Sequence, residues 1–149
     1  MIELKRTNSD HADFIALVKH LDAYLAEMDG DEHAFYDQFN NIDSLKFVVL
    51  AYGGDQAIGC GAIKEYDHQT MEVKRMYTSP EGRGKGIATM VLKELEQWTA
   101  ELGYKKCILE TGKRQVEAVS LYQKNGYSPI SNYGQYAEME NSLCFEKRL

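Results

Sequence analysis

The chain has 149 residues, with 17 Lys and Arg against 23 Asp and Glu, and this net charge of -6 argues against a nucleic-acid surface and suits a cationic substrate better. Hydrophobic residues at 44% and aromatics at 11% supply a core for one domain over residues 1–149 and exclude a disordered chain. Cys60, Cys107 and Cys144 are odd in number and far apart, which speaks against a disulfide framework or a zinc site; with no apolar leader and no membrane-length run, a cytoplasmic protein with no metal and no membrane partner is expected.

Ile2 to Thr7 alternates apolar and polar residues, the pattern of a half-buried strand. Ser9 or Asp10 is placed to cap the helix that follows, where Phe14, Leu17, Val18, Leu21, Tyr24, Leu25 and Met28 recur at helical spacing. Asp29-Gly30-Asp31-Glu32 ends that helix, and His33 to Phe39 reads as a short second one. Those acids lack the spacing of a calcium loop, so they form either a solvated turn or a wall of a pocket for a cation. Leu45 to Tyr52 and Gln56 to Glu65 are strand-like runs joined by the hairpin signal Gly53-Gly54-Asp55. Tyr66 to Gln69 turns the chain into a third antiparallel strand, Met71 to Ser79, which Pro80 ends. Ile87 to Leu102 is an amphipathic helix presenting Ile87, Val91, Leu95, Trp98 and Leu102 on one face, and Gly103 stops it. Lys105 to Thr111 is a buried strand, Gln115 to Lys124 a helix ended by Asn125-Gly126, and Tyr127 to Ile130 with Glu140 to Leu149 a closing strand pair.

Between the third antiparallel strand and the amphipathic helix stands Arg83-Gly84-Lys85-Gly86-Ile87-Ala88. Glycines where a strand becomes a helix permit φ > 0 and a close approach to the backbone, and the unpaired amides of the helix start, with the cations Arg83 and Lys85, suit phosphate. A P-loop is excluded, because Gly84-Lys85 is followed by Gly86 and Gly112-Lys113 by Arg114. A dinucleotide fingerprint would need a small residue where Thr89 stands and a position early in a βαβ repeat.

Two blocks then carry a resemblance. Glu72-Val73-Lys74-Arg75-Met76-Tyr77-Thr78-Ser79-Pro80-Glu81-Gly82-Arg83-Gly84-Lys85-Gly86-Ile87-Ala88 resembles the coenzyme A signature of the GNAT superfamily of acyl-CoA-dependent N-acyltransferases, with its Arg/Gln-x-x-Gly-x-Gly/Ala cradle. Ala118-Val119-Ser120-Leu121-Tyr122-Gln123-Lys124-Asn125-Gly126-Tyr127 resembles that family's Ala-x-x-Leu-Tyr-x-x-x-Gly-Phe/Tyr block. The order of elements matches the family over nearly the whole chain. The resemblance implies an α+β fold of α/β/α type, with a mixed, mainly antiparallel sheet of six or seven strands and helices on both faces. It implies acetyl-CoA as cosubstrate and a primary amine as acceptor, with direct attack in a ternary complex.

Carried over, the resemblance assigns Met76, Tyr77 and Thr78 to the pantetheine arm and thioester, and Arg83, Gly84, Lys85, Gly86, Ile87 and Ala88 to the diphosphate. The strands of Met76 and Leu109 splay to admit the arm, and backbone N–H near Met76 stabilises the oxyanion. Family members often carry Asn seven residues before the tyrosine; Gln115 stands there and offers the same amide groups on a longer arm. Tyr122 matches the tyrosine that protonates the departing thiolate. An acceptor amine is mostly ammonium at neutral pH and needs a base, for which Glu72 is named first and Glu110 second, against a water chain with no dedicated base. His33 sits in the segment that lines the acceptor pocket in such folds, and Tyr133, Gln135 and Tyr136 near where acceptors enter; each of these is either a substrate contact or a packing residue. His11, His20 and His68 have no nucleophile or metal partner at useful spacing, and Cys107 reads as core. The leading reading is a small-molecule N-acetyltransferase; alternatives are a protein or peptide acetyltransferase and a non-catalytic acyl-CoA sensor. Homodimerisation is left open.

Overall fold

Alternating residues make a half-buried edge strand at Ile2–Thr7, whereas the continuous apolar run from Val48 to Ala51 makes a strand buried on both faces. In the computed structural model, which describes residues 1–37 and 45–149, β1 (Ile2–Thr7), β2 (Phe47–Gly53), β3 (Gln56–Asp67) and β4 (Thr70–Thr78) form an antiparallel meander. On β2, Val48 and Leu50 point to one face and Val49 and Ala51 to the other, and all four are fully buried. Full burial of an aliphatic side chain contributes roughly 1.5–3 kcal/mol, so this strand anchors both layers.

Helix α1 (Ala12–Asp29) lays Phe14, Leu17 and Val18 against Val48, Leu50, Cys60 and Ala62 on one face of the sheet. A 3-10 turn, Gly30–Glu32, leads into α2 (His33–Asp37). On the opposite face α3 (Ile87–Glu101) buries Ile87, Val91, Leu92 and Leu95, and α4 (Val116–Lys124) adds Tyr122. β5 (Lys106–Gly112), β6 (Ser128–Ile130) and β7 (Ser142–Arg148) complete a seven-stranded sheet of order β1-β2-β3-β4-β5-β7-β6. Among the described residues only β4 and β5 pair in parallel; the other neighbours are antiparallel. This is the expected mixed, mainly antiparallel α+β fold. Arg6 ties the edge strand to α3 through Glu94 at 2.7 Å and Glu101 at 2.8 Å, with its guanidinium over the Trp98 ring.

Several expectations change at element ends. Neither Ser9 nor Asp10 caps α1: Ser9 is buried with its amide on the Leu45 carbonyl, Asp10 N donates to Asn8 Oδ1, and His11 Nδ1 accepts from Asp13 N at 3.1 Å instead. Leu102, the C-cap residue that follows α3, is exposed; Thr99 and Glu96 complete the buried face. Glu96 is buried because Tyr127 donates to it at 2.9 Å and Lys147 pairs with it at 2.9 Å. Phe39, placed in the second helix from the sequence, and the side chain of His33 lie outside the described residues. The three cysteines are buried thiols.

Candidate active site

The site begins where the sheet opens. β4 and β5 pair only through Thr70↔Lys106, Met71↔Cys107 and Glu72↔Ile108, whereas β5 stays paired with β7 as far as Gly112↔Ser142. Beyond Glu72 the two parallel strands part. A β-bulge bends β4 there: the register passes from Ala62↔Lys74 to Cys60↔Tyr77, so Arg75 and Met76 oppose the single residue Gly61. Arg75 takes φ 59, a conformation rare for a side-chain-bearing residue, and a Cβ on Gly61 would lie 2.5 Å from Met76 Sδ and 2.9 Å from Val91 and Leu95. Glycine at 61 lets the Met76 side chain and α3 pack closely over the bulge. The splay expected between the strands of Met76 and Leu109 is therefore present, and the bulge leaves backbone groups of β4 free of the ladder.

A cleft of about 550 Å³ opens on one side, lined by Met76, Tyr77, Thr78, Arg83, Gly84, Gly86, Ile87 and Ala88 together with residues of α4. Gly84 and Gly86 have φ of 77° and 73°, and Gly86 caps α3, whose first-turn amides have no partner within the helix. No atom lies within 4 Å of where a Cβ on either glycine would stand. Arg83 lines the cleft but Lys85 does not, so one of the two cations assigned to phosphate stands away from its wall.

On the other side a cavity of about 90 Å³ is lined by residues of α1, α2, β4, β5, α4 and the Tyr136 turn. Its wall holds Asp29, Glu72 and Glu110 against Lys74 and Arg75. Burial, followed by the nearby Asp29 and Glu72, pushes the Glu110 carboxyl up to about 7, against the lowering pull of Ser142 and Lys74. Ser142 Oγ donates to Glu110 Oε2 at 2.8 Å, and Tyr36 Oη lies 2.8 Å from Ser142 Oγ. A serine has one proton, so with Glu110 ionised Tyr36 donates to Ser142 and Ser142 to Glu110.

Glu72 is more heavily engaged. Tyr133 donates to its Oε2 at 2.6 Å, and Lys74 Nζ stands 3.8 Å from Oε1. Burial lowers the Lys74 ammonium from its ordinary range, with Glu72 opposing. Arg75 is ion-paired with Asp22 of α1 and otherwise sealed, its Nε and Nη1 buried without a hydrogen-bond partner.

Leu21, Met76, Gln115 and Tyr122 line both the cleft and the cavity, so they form the partition between them. Tyr122 is 6% exposed, braced by Tyr127 at 5.8 Å and Phe145 at 6.4 Å between ring centroids. Burial first, then Glu110, raises its pKa, so its hydroxyl stays protonated. Of the residues singled out from sequence, Met76, Tyr77, Thr78, Arg83, Gly84, Gly86, Ile87, Ala88, Gln115, Tyr122, Glu72 and Glu110 converge on these two spaces. Tyr136 joins the cavity wall, and Gln135 does not line either space. Lys74, Ser142, Tyr36 and Asp29 were not singled out as site residues or, for Asp29, were left between turn and pocket. Strand alternation from Glu72 to Lys74 and from Glu110 to its cross-strand neighbours on β7 is the signal that could have found two of them.

Residues 14–127 match the family described as Acetyltransferase (GNAT) family. An IAA acetyltransferase of Azospirillum brasilense is 32% identical over 138 residues, covering 91% of this chain and 90% of that one. A solved structure of a Klebsiella pneumoniae protein assigned to the acyl-CoA N-acyltransferases superposes with a TM-score of 0.84 at 27% identity, covering 100% of this chain and 98% of that one. A GNAT family acetyltransferase of Elizabethkingia anophelis, solved with acetyl-CoA bound, shares the fold with a TM-score of 0.72 at 20% identity, over 99% and 98% of the two chains.

Proposed function

The chain belongs to the GNAT acetyltransferase family and is an acyltransferase, and from that premise we propose that it moves the acetyl group of acetyl-CoA onto the primary amine of a small molecule, by direct attack in a ternary complex. The observation that carries this reading is the shared partition: a cleft with a phosphate cradle and a cavity with acidic groups meet at Tyr122, Met76, Gln115 and Leu21. Arg83 and the amides at Gly84, Gly86 and the start of α3 hold the diphosphate, and Met76 to Thr78 with Gln115 hold the pantetheine arm. A cavity of about 90 Å³ lies well below the ~300–1,000 Å³ of pockets for drug-sized ligands, which favours a small acceptor over a peptide.

The proton steps fall to two groups. Glu110 serves as the base ahead of Glu72, since its pKa near 7 suits proton removal at neutral pH while Glu72 is held by Tyr133 and Lys74. It takes one proton from the acceptor ammonium, and the freed nitrogen forms a C–N bond to the thioester carbon. Backbone N–H at the Met76 bulge steadies the oxyanion. As the C–S bond breaks, Tyr122 gives its proton to sulfur and receives the surplus proton of the nitrogen. The products are an acetamide and a free thiol, and Glu110 returns its proton to water.

The test is thiol release from acetyl-CoA against amino acids, polyamines, aminoglycosides and short peptides. Release with one class of small amine supports the reading. Tight binding of acetyl-CoA with release only for peptides, or with none, overturns it in favour of a peptide acetyltransferase or a sensor.

A further inference from the structure

The acidic cavity contains a cation that, among the described residues, has an ion pair but no hydrogen bond from its own walls. Lys74 lies on β4 between Glu72 and the bulge, its side chain 9% exposed, and among the described residues its ammonium makes no hydrogen bond and has one carboxylate in range, Glu72 Oε1 at 3.8 Å. That carboxylate is already engaged through its other oxygen by Tyr133. A buried ammonium has three protons to satisfy, and leaving them unpaired costs more than a hydrogen bond returns. Arg75 beside it cannot serve the cavity, because Asp22 holds one nitrogen and the others are sealed in protein.

Facing Lys74 across the same space, Glu110 uses Oε2 to accept from Ser142, and no donor reaches its Oε1 among the described residues. Among the described residues the cavity thus presents the Oε1 of Glu110, which accepts no hydrogen bond, and the ammonium of Lys74, whose 3.8 Å ion pair with Glu72 leaves its protons without a hydrogen-bond acceptor, within about 90 Å³. A polyamine would meet Glu110 but bring a second cation towards Lys74. An aliphatic amine would leave Lys74 desolvated with nothing to bind.

We propose that the acceptor is a small amino acid-like molecule, its amine on Glu110 and its carboxylate on Lys74. This rests on the acetyl-transfer reading above and narrows it from amines in general to amines that carry an acidic group a few bonds away. The charge-assisted contact orients the nitrogen towards the partition at Tyr122 and leaves no buried charge unpaired.

The experiment compares kcat/KM for glycine, β-alanine and γ-aminobutyrate with that for methylamine, ethylamine and propylamine, using the intact chain and acetyl-CoA. A carboxylated amine is expected to be preferred by about 10-fold or more, the usual weight of a hydrogen bond to a charged group. Lys74→Met is expected to collapse that preference towards unity by raising KM for the carboxylated member. Taking the ratio of variant to wild type cancels the different basicities of the two amines. Lys74→Gln provides a second variant, and the wild-type preference stands as a measurement that needs neither to fold. Equal or better use of the plain amines, or a preference that survives in both variants, overturns the proposal and leaves the transferase reading intact. Release with neither series, while acetyl-CoA binds, overturns both.

Discussion

The cleft and the cavity sit on either side of one tyrosine, yet they are built by different means. The cleft is made of main chain: glycines at positive φ, the first turn of α3 and the freed edge of β4. The cavity is made of side-chain charges brought from α1, β4 and β5, with Ser142 of β7 behind Glu110. A main-chain site tolerates change in nearly every side chain around it and fails when a glycine is lost. A side-chain site depends on each group separately and on the protonation of its neighbours.

That contrast can be broken most severely at Gly86. Gly86→Asp has space for its side chain but places a carboxylate at the proposed diphosphate site, at φ 73°, and is expected to weaken acetyl-CoA binding by at least about 100-fold in calorimetry while the far-UV circular dichroism stays native. Unchanged affinity would remove the phosphate cradle from the account. Glu110→Gln tests the other region, and kcat/KM is expected to fall by roughly 10²–10⁴, the usual contribution of a general base. The same variant carries a stability signature. The Glu110 carboxyl is raised in the folded protein from 4.5 to about 7, so the native state loses stability as pH rises through that interval, and the penalty is complete above it. At pH 8 Glu110→Gln is therefore expected to be more stable than wild type to urea by on the order of 2–3 kcal/mol, with the difference vanishing near pH 4. A variant equally destabilised at both values would mean that Glu110 is not held as described.

Tyr122→Phe touches both regions at once. Turnover is expected to fall about 10-fold to 100-fold with acetyl-CoA affinity little changed, since the ring packing against Tyr127 and Phe145 is kept and only the hydroxyl is lost. An unaffected rate would reduce Tyr122 to a brace. The smallest expected effect is at Ser142. The acid limb of kcat/KM should lie near pH 7 in wild type, and Ser142→Ala removes a donor that favours the ionised carboxylate, so the limb moves to higher pH by less than about one unit. No movement would separate the limb from Glu110.

The difference between the two regions also explains what could be read from the sequence. Arg83, Gly84 and Gly86 fall within four successive positions, and a backbone cradle that is local in sequence leaves its mark as a motif. The strand order up to β4, the helix of the glycine motif and the block around Tyr122 were legible because periodicity and turn residues are local signals. Lys85 shows the limit of such a motif: it has the composition of the cradle but stands off the wall that Arg83, Gly84 and Gly86 line. The ranking of Glu72 over Glu110 was beyond sequence, since what separates them is Tyr133 on one and Ser142 on the other, across 61 and 32 residues of chain. Lys74 has the same character. Nothing in its neighbours in sequence says that the carboxylate it pairs with, Glu72, already accepts from Tyr133.

The shared partition has a thermodynamic side. Leu21, Met76, Gln115 and Tyr122 line both spaces, so under the proposed assignment an occupant of the cleft that shifts them reshapes the wall of the cavity, and the two sites are expected to be coupled. Coupling of this kind is reciprocal: whatever factor acetyl-CoA adds to acceptor affinity, the acceptor must add to that of acetyl-CoA. A dead-end pair, coenzyme A with the free acceptor, would then report the strength of the partition as one number, measurable from either side and the same from both.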